Sequence, residues 1–204
     1  MATIIRDPIL EERILAERAE RGGDRYDEVW DGVYIMPPMP NDEHQMLVGR
    51  FTRILDEIVG DAALGHVRPG VNVSDRVNGW QQNYRVPDVA VFLNDTRAVN
   101  YAAFWHGGPD LAIEILSPGD QARDKLEFYA QVKTREVLVV DRAPWQIELY
   151  RLKGGRMDLI GTSTLSHPLP IHCNTVPAEI QLVSAEERPR ILINHLHEDR
   201  SWLI

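Results

Sequence analysis

Asp88, Glu114 and Lys125 are the residues of this chain whose types and spacing could do chemistry. Asp88 lies in the run Tyr84-Arg85-Val86-Pro87-Asp88-Val89-Ala90-Val91-Phe92, and Glu114 in Leu111-Ala112-Ile113-Glu114-Ile115-Leu116. Both runs are short and rich in Val, Ile and Leu, which predicts two largely buried strands. An unpaired carboxylate inside such a strand costs several kcal/mol even after the protein relaxes, so each acid needs something to hold it. Arg85 is a poor partner for Asp88, because positions three apart on an extended strand face opposite ways. Glu114 has no basic residue in its own strand at all. Two buried carboxylates on neighbouring strands, with a lysine from the next helix, form a good cage for a hard divalent cation such as magnesium. Lys125 would then stand beside the cation, at hand for proton transfer or for balancing negative charge. The competing reading pairs the carboxylates with arginines inside the fold and leaves Lys125 solvated on the surface.

The elements that must position these groups can be read from periodicity and punctuation. Residues Ile9 to Arg21 have helix-like apolar spacing, stopped by Gly22-Gly23. Asp31-Gly32, between Tyr26-Asp27-Glu28-Val29-Trp30 and Val33-Tyr34-Ile35-Met36, signals a hairpin. Asn41 or Asp42 can cap a helix whose apolar face is Met46, Leu47, Phe51, Ile54, Leu55 and Ile58, closed by Gly60. Strands follow from about Leu64 to Val77, broken at Pro69-Gly70, and then come the two carboxylate strands. The connection from Asn94 to Gly108 is long enough to be a functional loop or to hold a short packed helix. Asp120 is a candidate cap for a helix reaching Val132, with Lys125 at the edge of its apolar stripe, and Glu136–Asp141, Ile147–Leu152 and Met157–Ile160 read as strands.

Composition narrows the class. With 204 residues, 44% of them hydrophobic and 26% charged, the chain has the makings of one globular domain. No apolar run approaches the ~20 residues of a membrane helix, and Met1-Ala2-Thr3-Ile4-Ile5-Arg6 lacks the apolar core of a secretory signal. A cytoplasmic location is the default expectation. The single cysteine, Cys173, excludes an intramolecular disulfide. His167, His172 and Cys173 lack the paired spacing of a zinc site, and no glycine-rich phosphate loop or Gly-x-Ser-x-Gly nucleophile is present. A net charge of -9 requires any phosphate contact to come from local cations. The candidates are Arg50, Arg53, Arg68, Arg76, Arg85, Arg123 and Lys125.

Pro87-Asp88, Glu114 in a strand ending Ile115-Leu116-Ser117-Pro118, Arg123-Asp124-Lys125-Leu126-Glu127-Phe128-Tyr129 and Glu136-Val137-Leu138-Val139-Val140-Asp141 together resemble the Uma-two-type restriction endonuclease family of the PD-(D/E)XK nuclease superfamily. The resemblance runs from about Tyr26 to Tyr150 and takes in Glu28, Asp31-Gly32 and His44. It departs in one respect: the superfamily's lysine stands two residues after the second carboxylate, where this chain has Leu116, so Lys125 takes the role by analogy.

The resemblance implies an α/β, restriction-endonuclease-like mixed sheet flanked by helices. Residues 26–183 would form the nuclease domain, between an N-terminal helical segment 1–25 and a C-terminal tail 184–204 suited to docking or dimerisation. The implied activity is magnesium- or manganese-dependent hydrolysis of phosphodiester bonds in DNA, with a homodimer as candidate assembly. Asp88, Glu114 and the Ile115 carbonyl would hold the metal, and Glu28 would be an outer ligand rather than an exposed hairpin residue. His44, Arg85, Arg123 and Tyr129 are candidates for substrate contact or for steadying the ligands, although His44 could merely pack and Tyr129 has the position of a core residue. The alternative is a nuclease-like fold without catalysis, acting as a nucleic-acid-binding or assembly module.

Overall fold

In the computed structural model, which describes residues 8–37, 39–117 and 122–204, the first described element is helix α1 (Pro8–Glu20). The hairpin follows as Glu28–Trp30 (β1) and Val33–Ile35 (β2), with Asp31 and Gly32 at φ 47° and 84°. Both turn residues need positive φ, which the Asp-Gly pair tolerates and most pairs do not. Helix α2 (Asp42–Leu55) starts at Asn41, whose side chain accepts the His44 N–H, and it runs on into a wider turn over Asp56–Gly60.

Three sheets follow, and the run that the sequence predicts as one strand is divided between two of them. Tyr84–Arg85 (β5) lies in a small sheet with β1, β2, Val73–Ser74 (β4), Val99–Asn100 (β7) and Trp105–His106 (β8). After Val86-Pro87-Asp88 the chain enters Val89–Leu93 (β6) of the central sheet, which holds Gly65–Pro69 (β3), Leu111–Ile115 (β9), Glu136–Arg142 (β10), Trp145–Lys153 (β11) and Arg156–Thr164 (β12) in the order β12-β11-β10-β9-β6-β3. Pro87 has no N–H to donate to a ladder, so a break there is the natural place to change sheets. The third sheet is made of Ile171–His172 (β13), Ala178–Val183 (β14), Arg190–His195 (β15) and Ser201–Leu203 (β16). The last two strands come from the stretch read as a tail, and Ile191, Ile193 and Ile204 enter the main core.

The middle strands of the central sheet, β6, β9 and β10, are buried on both faces, and strand alternation sorts their side chains. Leu111, Ile113 and Ile115 of β9, with Val89 and Val91 of β6, face α2 and the third sheet. Ala112, Ala90 and Phe92 face the other way, toward Phe128, Tyr129 and Trp105. Period two then places Glu114 on that second face, and Asp88, one step outside β6, on the same one.

Two further sequence expectations are revised. The helix expected from Asp120 to Val132 begins among residues outside the described set; what is described is a tight turn over Ala122–Lys125 followed by α3 (Leu126–Gln131). The connection from Asn94 to Gly108 contains the short strands β7 and β8 rather than a helix, with Trp105 stacked on Phe92 at 3.7 Å. Among the described residues no helix is long and apolar enough to cross a membrane.

Candidate active site

Glu114 is 3% exposed and lies where β9 passes beneath the Lys125 turn and α3. Lys125 Nζ stands 3.0 Å from Glu114 Oε2, and the Tyr129 hydroxyl donates to Glu114 Oε1. The turn that replaces regular helix at Ala122–Lys125 ends on Lys125, which is 8% exposed and so is not the solvated lysine of the competing reading. Tyr129, at the centre of α3, is fully buried and yet polar in its one contact with Glu114. It is a core residue and a neighbour of the site at once.

Glu28 arrives from the other sheet. It is 3% exposed, with Oε1 2.9 Å from Lys125 Nζ, so one ammonium is shared between carboxylates of two sheets. Glu28 is further fixed by the Val86 N–H at 2.8 Å and by the Trp30 indole N–H at 2.7 Å. These two donors were not picked out from the sequence. Trp30, two residues on from Glu28 and so on the same strand face, was the signal that could have suggested one of them.

Asp88 is not inside a strand but at the bend before β6, and its side chain is 19% exposed, so it is less buried than its run implies. Its Oδ2 accepts the Ile115 N–H at 2.7 Å and stands 3.3 Å from His44 Nε2. His44 reaches it because the Asn41 cap starts α2 there, and His44 Nδ1 is buried without a hydrogen-bond partner among the described residues.

The two arginines behave differently from the lysine. Arg85 is sandwiched between the Trp30 and Phe128 rings, 4.6 and 4.3 Å from their centroids, and donates to the Val29 and Tyr84 carbonyls and to Asn83 Oδ1. Burial lowers its pKa, partly opposed by Glu28. Arg123 is bound to Glu148 at 2.9 Å and Asp141 at 3.1 Å, whose hydrogen bonds raise its pKa. Of the other local cations, Arg53 pairs with Glu57 and Arg76 with Asp75. Neither Asp88 nor Glu114 is paired with an arginine among the described residues, which removes that reading.

The electrostatics are unbalanced in favour of negative charge. Burial pushes the Glu114 carboxyl up to about 8 against the pull of Lys125, with the Asp88 and Glu28 charges pushing it further. Burial and the Glu114 charge likewise raise the Tyr129 hydroxyl well above its usual range. An excess of carboxylate oxygen around one ammonium is a donor set that a hard cation fits. Among the described residues no three His, Cys, Asp or Glu side chains converge into a complete cage. Asp88, Glu114 and the Ile115 carbonyl would therefore have to be supplemented by water, as magnesium tolerates.

Comparisons with known proteins speak for the fold and the family. The fold is similar to the crystal structure of "a putative nuclease belonging to DUF820" from Anabaena variabilis ATCC 29413, at TM-score 0.56 and 20% identity, covering 71% of this chain and 80% of that one. At that identity the likeness speaks for the fold alone. No curated protein matches the chain. The model of the Uma2 family, described as "Putative restriction endonuclease", matches residues 12–184, and with most of its length so covered the chain belongs to that family.

Proposed function

We propose that the protein is an endonuclease that hydrolyses phosphodiester bonds in DNA with a divalent cation. The observation that carries this reading is the convergence of Glu114 and Glu28, from different sheets, on Lys125, with Asp88 adding to the negative charge on Glu114. Family membership supports the same reaction class. A magnesium or manganese ion held by Asp88, Glu114 and the Ile115 carbonyl would polarise the scissile phosphate and lower the pKa of the attacking water.

The chain's own groups have distinct tasks. Lys125 Nζ, placed between two carboxylates, is positioned to orient the water and to neutralise charge as it develops on the phosphate oxygens. Tyr129 and Lys125 hold the two oxygens of Glu114, one each, so its rotamer is fixed before substrate arrives. Trp30 and the Val86 N–H do the same for Glu28. His44 and the Ile115 N–H both act on Asp88 Oδ2, and no hydrogen bond to its other oxygen is seen among the described residues.

The second reading, a binding or assembly module without catalysis, is favoured by one observation. Arg53, Arg76 and Arg123 are engaged by acids of the same chain, in a protein of net charge -9. The two readings separate on manganese binding measured by calorimetry for the wild type, Asp88→Asn and Glu114→Gln. Binding by the wild type alone is expected, followed by cleavage of plasmid, linear or single-stranded DNA. Equal binding by all three, or none by the wild type, would leave the module.

A further inference from the structure

We infer that Arg142 is a positioning residue for this site, gripping both of the segments that fasten Asp88. The inference deepens the proposed function and rests on it for the purpose of the positioned group, though not for the geometry. Arg142 ends β10, and its side chain is only 7% exposed. Its Nε donates to the Leu116 carbonyl at 3.1 Å, Nη1 to Asn41 Oδ1 and Glu43 Oε2 at 3.0 Å each, and Nη2 to Ser117 Oγ at 3.4 Å.

These acceptors belong to two stretches that are far apart in sequence. Asn41 and Glu43 are the cap and first turn of α2, and Leu116 and Ser117 are the chain leaving β9. The same two stretches supply the groups on Asp88 Oδ2. The Asn41 oxygen that Arg142 touches also accepts the His44 N–H at 2.9 Å, and His44 Nε2 lies 3.3 Å from Asp88 Oδ2. Leu116 directly follows Ile115, whose N–H reaches that oxygen at 2.7 Å.

A guanidinium suits this task because its five donors sit in a rigid planar fork. Four acceptors in two segments occupy that fork, so it is committed to holding them rather than to receiving a phosphate. A lysine offers a single ammonium on a flexible stem and could keep only part of the clasp.

The test uses the full chain with Arg142→Gln, Arg142→Lys and, as a control, Arg151→Gln. Arg151 is bound to a buried glutamate, Glu136, at 2.6 Å, and none of its contacts is with the residues around Asp88. Two readouts are taken: hydrogen exchange of the His44 and Ile115 amides, and manganese affinity by calorimetry. Arg142→Gln is expected to speed exchange at both amides at least ~10-fold and to weaken manganese binding roughly 10- to 100-fold, the range seen when a ligand's outer partners are removed. Arg142→Lys should fall between it and the wild type. Arg151→Gln should lower the melting temperature and leave both readouts unchanged. Exchange in Arg142→Gln that rises evenly through α2 and the third sheet, or manganese affinity no lower than in Arg151→Gln, would overturn the inference. A wild type that binds no manganese would sink the metal reading alone, and exchange at His44 and Ile115 would still decide the role of Arg142.

Discussion

Two buried glutamates stand on neighbouring parallel strands of the central sheet, Glu114 on β9 and Glu136 on β10, at 3% and 1% exposure. Burial alone does not distinguish them; their partners do. Glu136 is met by the Arg151 guanidinium at 2.6 Å, by the Asn174 and Thr175 amides at 2.9 Å each and by the Thr175 hydroxyl at 2.7 Å. It therefore has its own cation and several neutral donors. Glu114 has one hydroxyl and a lysine that it shares with Glu28, with Asp88 adding to the negative charge. A saturated carboxylate fastens two strands and a loop, whereas an undersupplied one is left able to take on a further positive charge.

The largest effect that would sharpen this contrast is on catalysis. Lys125→Ala or Glu114→Gln should lower the rate of DNA cleavage by ~10³-fold or more. Equal rates for variant and wild type in a plasmid-nicking assay would remove Glu114 from the chemistry and make it merely another structural acid. On stability the ranking inverts. Glu136→Gln should cost about 3 kcal/mol in denaturant unfolding, because Arg151 loses its charge partner in a largely buried place. Glu114→Gln should leave the metal-free protein as stable as before or more so at pH 8, since it removes a strained negative charge.

The pH dependence follows from the same imbalance. Folded Glu114 keeps its proton up to about pH 8, whereas a glutamate in the unfolded chain loses it near 4.5. Between those values the folded state binds more protons, so metal-free stability falls as pH rises. Melting curves from pH 5 to 8 should show this decline in the wild type and a shallower one in Glu114→Gln; parallel slopes would mean that Glu114 does not carry the effect. The smallest expected change is for Tyr129→Phe, which removes one hydrogen bond while keeping the packed ring and should shift stability by about 1 kcal/mol. If that variant left metal affinity untouched, the hydroxyl would be a matter of packing and not of ligand orientation.

The sequence disclosed the cast better than the stage. Asp88 and Glu114 stood out because a charge within an apolar run is costly enough to need a reason, Lys125 and Glu28 only through the family resemblance, and the Asp31-Gly32 hairpin because its turn chemistry is local. The division of Tyr84 to Phe92 between two sheets was not legible, since alternation looks the same whichever neighbour a strand pairs with. The folding of β15 and β16 against the core was hidden for a related reason: Ile191, Ile193 and Ile204 read equally well as a docking surface until their partners are known. Arg142 carried no local signal whatever, because its four acceptors come from segments distant in the chain.

The passage of the chain from β5 to β6 through Val86-Pro87-Asp88 has a consequence for how this protein could change over time. Glu28, held by the Val86 N–H, and Asp88, held by the Ile115 N–H, are tied to the two ends of one three-residue connector. Adding a single residue between Asp88 and Val89 would put Asp88 out of step with β6 and turn its side chain off the face that carries Glu114, because side chains alternate with period two. Both sheets could survive such a change intact. The connector's junction with β6 is thus a point at which the proposed chemistry could be lost in one step while the fold persists.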